Sequence, residues 1–130
     1  MPITYQVDHD HHLIAAVASG AIGERDLSAY QTDIKSQPAL AGYDEILDVT
    51  RVDGLLDINI HNLRKLAAFA ASSDVPDKLS KFVIVAPQDV YFGLSRMYES
   101  FREGLPRSRR KLAVFHSRAE AEGWLSDPAE

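Results

Sequence analysis

Apolar residues along the chain fall into two patterns: short unbroken runs, and stripes at three- and four-residue spacing. The clearest case is Phe82-Val83-Ile84-Val85-Ala86, which runs into Pro87-Gln88-Asp89 and then into Leu94, Met97, Tyr98 and Phe101 at i, i+3, i+4 and i+7. An unbroken apolar run bounded by turn residues reads as a buried strand, and such a stripe reads as an amphipathic helix. Joined by so tight a turn, the two predict a parallel βα unit.

The same reading extends over the whole chain. Thr4 to Asp8 and Leu13 to Ser19 are strand-like, and the polar His9-Asp10-His11-His12 between them is short enough only for an antiparallel hairpin. Gly20 and Gly23 punctuate the chain before a helix from about Glu24 to Ser36. Its first turn carries Glu24 and Asp26, which suit the positive end of the helix dipole, and Leu27, Tyr30 and Ile34 form its inner stripe. Pro38 and Gly42 mark a loop. A third strand spans Glu45 to Val52, with Leu47 and Val49 on one face and Ile46, Asp48 and Thr50 on the other. After an irregular turn over Asp53 to Ile58, a helix from about Asn59 to Ser73 is expected, with Leu63, Leu66, Ala67 and Ala70 as its inner stripe. Lys111 to His116 is a fifth strand. Ser117-Arg118-Ala119-Glu120 reads as a capping box that opens a last helix carrying Ala121, Trp124 and Leu125.

The resulting order is ββαβαβαβα in one domain over residues 1–130, an α/β fold with a five-stranded, mostly parallel sheet and an antiparallel amino-terminal hairpin. Each crossover should be right-handed. With strands side by side in chain order, the three crossover helices share one face of the sheet. The second, fourth and fifth strands are nevertheless apolar on both faces. The last helix, a partner subunit or a ligand must cover the other side.

Composition narrows the class. A chain of 130 residues with 45% hydrophobic and 25% charged residues is ordinary for a globular domain. The net charge of −5 argues against nucleic acid or anionic membranes as partners, because both need a dominant basic field. With no cysteine there is no disulfide framework and no thiolate chemistry. No apolar run approaches the roughly 18–20 residues of a membrane span, and Met1-Pro2-Ile3-Thr4 lacks a signal-peptide start, so a cytoplasmic location without membrane insertion is expected.

Taken together, Ile3-Thr4-Tyr5 with its hairpin into Val17-Ala18-Ser19-Gly20, Leu47-Asp48-Val49, and Val85-Ala86-Pro87-Gln88-Asp89 followed by Phe92-Gly93-Leu94-Ser95-Arg96-Met97-Tyr98 resemble the SpoIIAA-like (STAS-type) family. The order and spacing look like its stand-alone bacterial members. The resemblance implies a right-handed superhelix of βα units, related in fold to the CRAL-TRIO lipid-binding domains. Anti-sigma factor antagonists of that superfamily carry a phosphorylatable Ser or Thr after the third strand. Here the matching stretch is Asp57-Ile58-Asn59-Ile60-His61, and Asn59 offers a helix cap but no hydroxyl to phosphorylate. Thr50 is the nearest hydroxyl.

Candidate chemistry is sparse. His9, Asp10, His11 and His12 alternate in direction on an extended chain, so no metal shell converges and a solvated turn is expected. His61 has no nucleophile at a defensible spacing. Asp48 lies near the carboxyl end of a central strand, where ligands bind in open α/β sheets, but is expected to accept from the following loop or pair with Arg51. Asp89 suits a helix cap. Phe92 falls opposite the stripe of its helix, beside Arg96 and Glu99, and is a candidate for a pocket wall or a dimer contact. Arg107, Arg109, Arg110 and Lys111 form the basic cluster of the chain and are expected in a solvated loop.

These observations predict a non-catalytic module with no cofactor or metal that binds a small apolar or lipid-like ligand. The expected ligand site gathers Thr50, Arg51, Asn59, Asp89, Tyr91 and Phe92 around the carboxyl ends of the third and fourth strands. The alternative is a regulatory protein–protein interaction domain, acting as a homodimer or with another partner. Catalysis ranks third, since Asp48, Asp53, Asp57 and His61 share only one loosely defined edge.

Overall fold

The two opening runs pair as their short connection demands. In the computed structural model, which describes residues 2–72, 74, 78–104 and 110–127, β1 (Ile3–Asp8) lies antiparallel to β2 (Leu13–Gly23), with Val7 opposite Ile14. The chain continues through α1 (Glu24–Lys35), a 3₁₀ turn at Pro38–Leu40, β3 (Asp44–Leu56), α2 (Ile60–Ala71), β4 (Ser80–Val85), α3 (Asp89–Glu103), β5 (Arg110–Phe115) and α4 (Arg118–Ser126). The strands stand in chain order β1-β2-β3-β4-β5, and every pair after the hairpin is parallel. That is the predicted architecture.

Each face of the sheet has its own core. On one, Leu47, Val49, Phe82, Ile84 and Val114 meet Tyr30 of α1, Leu63, Leu66 and Ala67 of α2, and Tyr98 of α3. The helix stripes read from the sequence are thus the buried ones. On the other face, Ile46, Val83 and Val85 pack on Ala121, Trp124 and Leu125 of α4. Of the covers considered for that face, α4 packs on it. It starts at a Ser117 cap whose Oγ accepts from the Glu120 N–H at 3.2 Å, while the same hydroxyl donates to the Glu120 carboxylate. Its carboxyl end is held by Lys81, buried in β4, whose Nζ donates to the carbonyls of Trp124 and Asp127, both at 2.6 Å.

The main departure from the predicted elements is the length of β2 and β3. Gly20, Gly23 and Gly54 read as breakers, and Asp53 onward as a turn, yet β3 runs to Leu56 and pairs with an extended β2 through Ile22–Leu55 and Gly23–Leu56. Two register shifts, each with one extra residue on β3, occur along this pairing, and Gly20 of β2 sits at one of them with φ +73°, a region that side chains disfavour. At Gly23 a Cβ would fall 2.9 Å from the Leu56 carbonyl oxygen, so glycine permits the close approach. Smaller corrections concern the helices. Asn59 caps α2 from outside, and Ser73, expected to end it, lies outside the described residues. Asp89 is the first residue inside α3 and Gln88 holds the cap position, without a side-chain cap bond.

Candidate ligand-binding cavity

Space remains between the three crossover helices and the sheet. The result is a cavity of about 370 Å³, within the roughly 300–1,000 Å³ range of small-molecule sites. Close-packed interiors hold few voids larger than a water, so this volume is not an ordinary packing fault. Toward the carboxyl edge of the sheet its walls are Val49, Val52, Leu55, Ile58, Leu63 and Tyr91. Leu47, Leu66 and Ile84 line its middle.

The opposite pole is polar. Glu45, Ser80 and Arg110 stand at the starts of their strands and line the cavity with Tyr30, Tyr98 and Arg102. Glu45 accepts from the Tyr30 hydroxyl at 2.6 Å and pairs with Arg110 at 2.7 Å. Arg110 also donates to the Tyr43 carbonyl and the Ser80 hydroxyl at 2.8 and 2.9 Å. Arg102, only 4% exposed, pairs through Nη2 with Asp74 at 2.5 Å. Burial pushes the Tyr98 hydroxyl above its ordinary value, with the Arg102 charge opposing the shift. Tyr30 is raised well above that value, first by burial and then by the Glu45 carboxylate.

Two residues of the lining each bury a polar atom without a hydrogen-bond partner, Arg102 at Nε and Gln31 at Oε1, and both atoms are shielded from the cavity itself. Gln31 Nε2 makes only a long 3.5 Å bond to the Leu66 carbonyl. Native interiors pair nearly all such groups.

Of the residues expected to form the ligand site, Tyr91 lines this cavity. Thr50, Arg51, Asn59 and Asp89 lie exposed at the same edge and are not among its walls. Thr50 donates to Asp48 through its backbone N–H at 2.9 Å and its hydroxyl at 2.5 Å, and its carbonyl accepts from Gln88. Asp48 thus takes bonds from its following loop, as expected, but its ion-pair partner is Arg118 at 3.4 Å rather than Arg51. The Asn59 side chain accepts the Asn62 N–H at 2.9 Å, so it serves as the α2 cap. Phe92 is not an outlying aromatic: it packs against the main core and stacks on His116, with centroids 3.9 Å apart and planes 7° apart.

The basic cluster needs a similar correction. Arg110 is a partly buried ion-pair partner rather than a solvated loop residue, while Arg107 and Arg109 lie outside the described residues. His61 is exposed in the first turn of α2. In the hairpin turn His11 bonds Asp8 at 2.7 Å and His9 bonds the Tyr43 hydroxyl at 2.8 Å. The polar pole of the cavity was missed by the sequence reading. One signal for it existed: Arg102 follows Tyr98 by four residues and so continues the apolar stripe of α3.

An ordered β1-to-β5 sheet with three crossover helices on one face and α4 on the other defines an α/β protein of SpoIIAA-like fold. The chain is similar to the crystal structure of an uncharacterized protein from the DUF3478 family, with a SpoIIAA-like fold, from Shewanella loihica PV-4. The TM-score is 0.61, with 18% identity over 95% of this chain and 93% of that one. At that identity the likeness concerns the fold. No protein-family model matches the chain, and no curated protein matches it. No helix among the described residues is long and apolar enough to cross a membrane.

Proposed function

We propose that this protein is a non-catalytic module that encloses a small apolar or lipid-like molecule between its three crossover helices and its sheet. The observation that carries the reading is the cavity of about 370 Å³ with an apolar wall. Its walls are mainly apolar, so a ligand that covers them removes that surface from water. Native mass spectrometry of freshly purified protein, followed by solvent extraction, tests the reading. An adduct that extracts as one apolar compound supports it. Bare mass, together with no thermal stabilisation by any aliphatic or aromatic hydrocarbon of fitting size, rejects it.

A regulatory interaction surface is the second reading. Leu56, Ile60 and Val90, exposed at 56%, 53% and 69%, lie at the end of β3 and the starts of α2 and α3, at one edge of the sheet. Static light scattering addresses its homodimer form. A strict monomer at high concentration removes that form.

A further inference from the structure

Resting on the ligand-binding reading, we propose that the enclosed molecule is an amphiphile with an anionic head, its chain inside the cavity and its head at a mouth flanked by Lys35 and Lys78. Among the described walls of the cavity, Lys35, Pro38 and Ala41 are the exposed ones, so the space opens at the carboxyl end of α1 and the turn behind it. Lys35 reaches from α1 to the end of α2, where its Nζ donates to Ser72 Oγ at 3.2 Å and lies 4.9 Å over the Phe69 ring. Lys78 is exposed and stands over Gly42, another wall residue: a Cβ at Gly42 would fall 2.5 Å from Lys78 Cδ and 3.2 Å from its Nζ. Among the described residues no carboxylate pairs with either lysine, on a chain whose net charge is −5. The two arginines of the lining differ, since Arg110 pairs with Glu45 and Arg102 with Asp74. The inner pole thus closes its own charges, and the surplus positive charge lies at the mouth. An anionic head there keeps its water and meets two cations, whereas a deeper seat would bury it beside Glu45 or Asp74. The chain of such a molecule runs from the amino-terminal edge of the sheet toward Val52, Leu55 and Tyr91.

The experiment titrates octanoate, octyl phosphate and 1-octanol, one chain with three heads, into the intact protein by calorimetry at low salt. The expected result is that an anionic probe binds about three- to tenfold tighter than 1-octanol, as two solvent-exposed charge pairs imply. The tighter of the two anions identifies the head as carboxylate or phosphate. Replacing both lysines, Lys35→Gln with Lys78→Gln, should abolish that excess and leave 1-octanol binding in place. Binding of 1-octanol as tight as that of both anions, or an excess that survives in the double variant, overturns the anionic head at the lysines and leaves the apolar cavity reading standing. Binding of none of the three overturns both. If the double variant fails to fold, salt decides on the native protein: exposed pairs are screened, so the excess should shrink as ionic strength rises, and an excess indifferent to salt overturns the proposal.

Discussion

Lys81 is buried at a position where the unbroken apolar pattern of β4 would place a hydrophobic residue. Its Nζ donates to two carbonyls at the end of α4 and lies 4.9 Å over the Trp124 ring. Lys81→Met keeps the stem and removes those bonds, leaving two carbonyls without their donor. Urea denaturation should show a loss of about 2–4 kcal/mol, and Trp124, the single tryptophan, should shift its fluorescence to the red as α4 loosens. Tyrosines supply the pH dependence. Tyr30 and Tyr98 both have hydroxyls raised above the ordinary 10.0, so the native state holds its phenolic protons more tightly than the unfolded chain. The stability they contribute is therefore complete below about pH 10 and lost as pH rises beyond that value through the folded pKa. Unfolding free energies measured between pH 8 and 11 should fall toward the alkaline end, and Tyr30→Phe should flatten the fall. An unchanged slope in that variant would remove Tyr30 from the account.

At the level of elements, Asn59 shows how a sequence resemblance and a physical role part company. The resemblance placed it where a phosphorylatable hydroxyl would be expected, and its side-chain oxygen accepts the Asn62 N–H as the cap of α2. Asn59→Ala should lower stability by about 1 kcal/mol, while Asn59→Ser should be close to neutral because serine caps as well. Thermal unfolding of the two variants separates capping from any other demand at this site. The helices were legible because their stripes bury against a sheet, and a 3.6-residue period cannot hide there. The ends of β2 and β3 were not. Gly20 and Gly54 look like breakers in isolation, but beside a register shift with an extra residue on β3 they continue the β2–β3 ladder. Whether a glycine ends a strand or bends it depends on what lies beside it, and that neighbour is some thirty residues away in the chain.

The whole molecule decides where free volume lies. The sequence showed apolar strands in excess of their cover, and pointed to the carboxyl edge of the sheet because open α/β folds bind there. The chain instead covers its second face with α4 and keeps its free volume under the crossover helices, with polar groups at the amino-terminal edge. That pole joins Glu45 to Arg110 and Asp74 to Arg102, pairs separated by 65 and 28 residues, so the register of β3, β4 and β5 brings the first together and the packing of α2 against α3 the second. Tyr91, a wall at the carboxyl edge, was accessible to sequence reasoning because it sits one turn beyond a strand. The volume itself can be tested by occupying it from within. Ala70 lies on the inner stripe of α2 and lines the cavity, so Ala70→Phe should place its ring in the free space rather than in packed core. At about 0.8 kcal/mol for each buried methylene equivalent, partial burial of that ring should raise the unfolding free energy by about 1–2 kcal/mol. The same variant should lose 1-octanol binding, because ring and ligand compete for one volume. A destabilised Ala70→Phe that still binds 1-octanol would mean that the ligand lies elsewhere and that this space is already closed to a side chain.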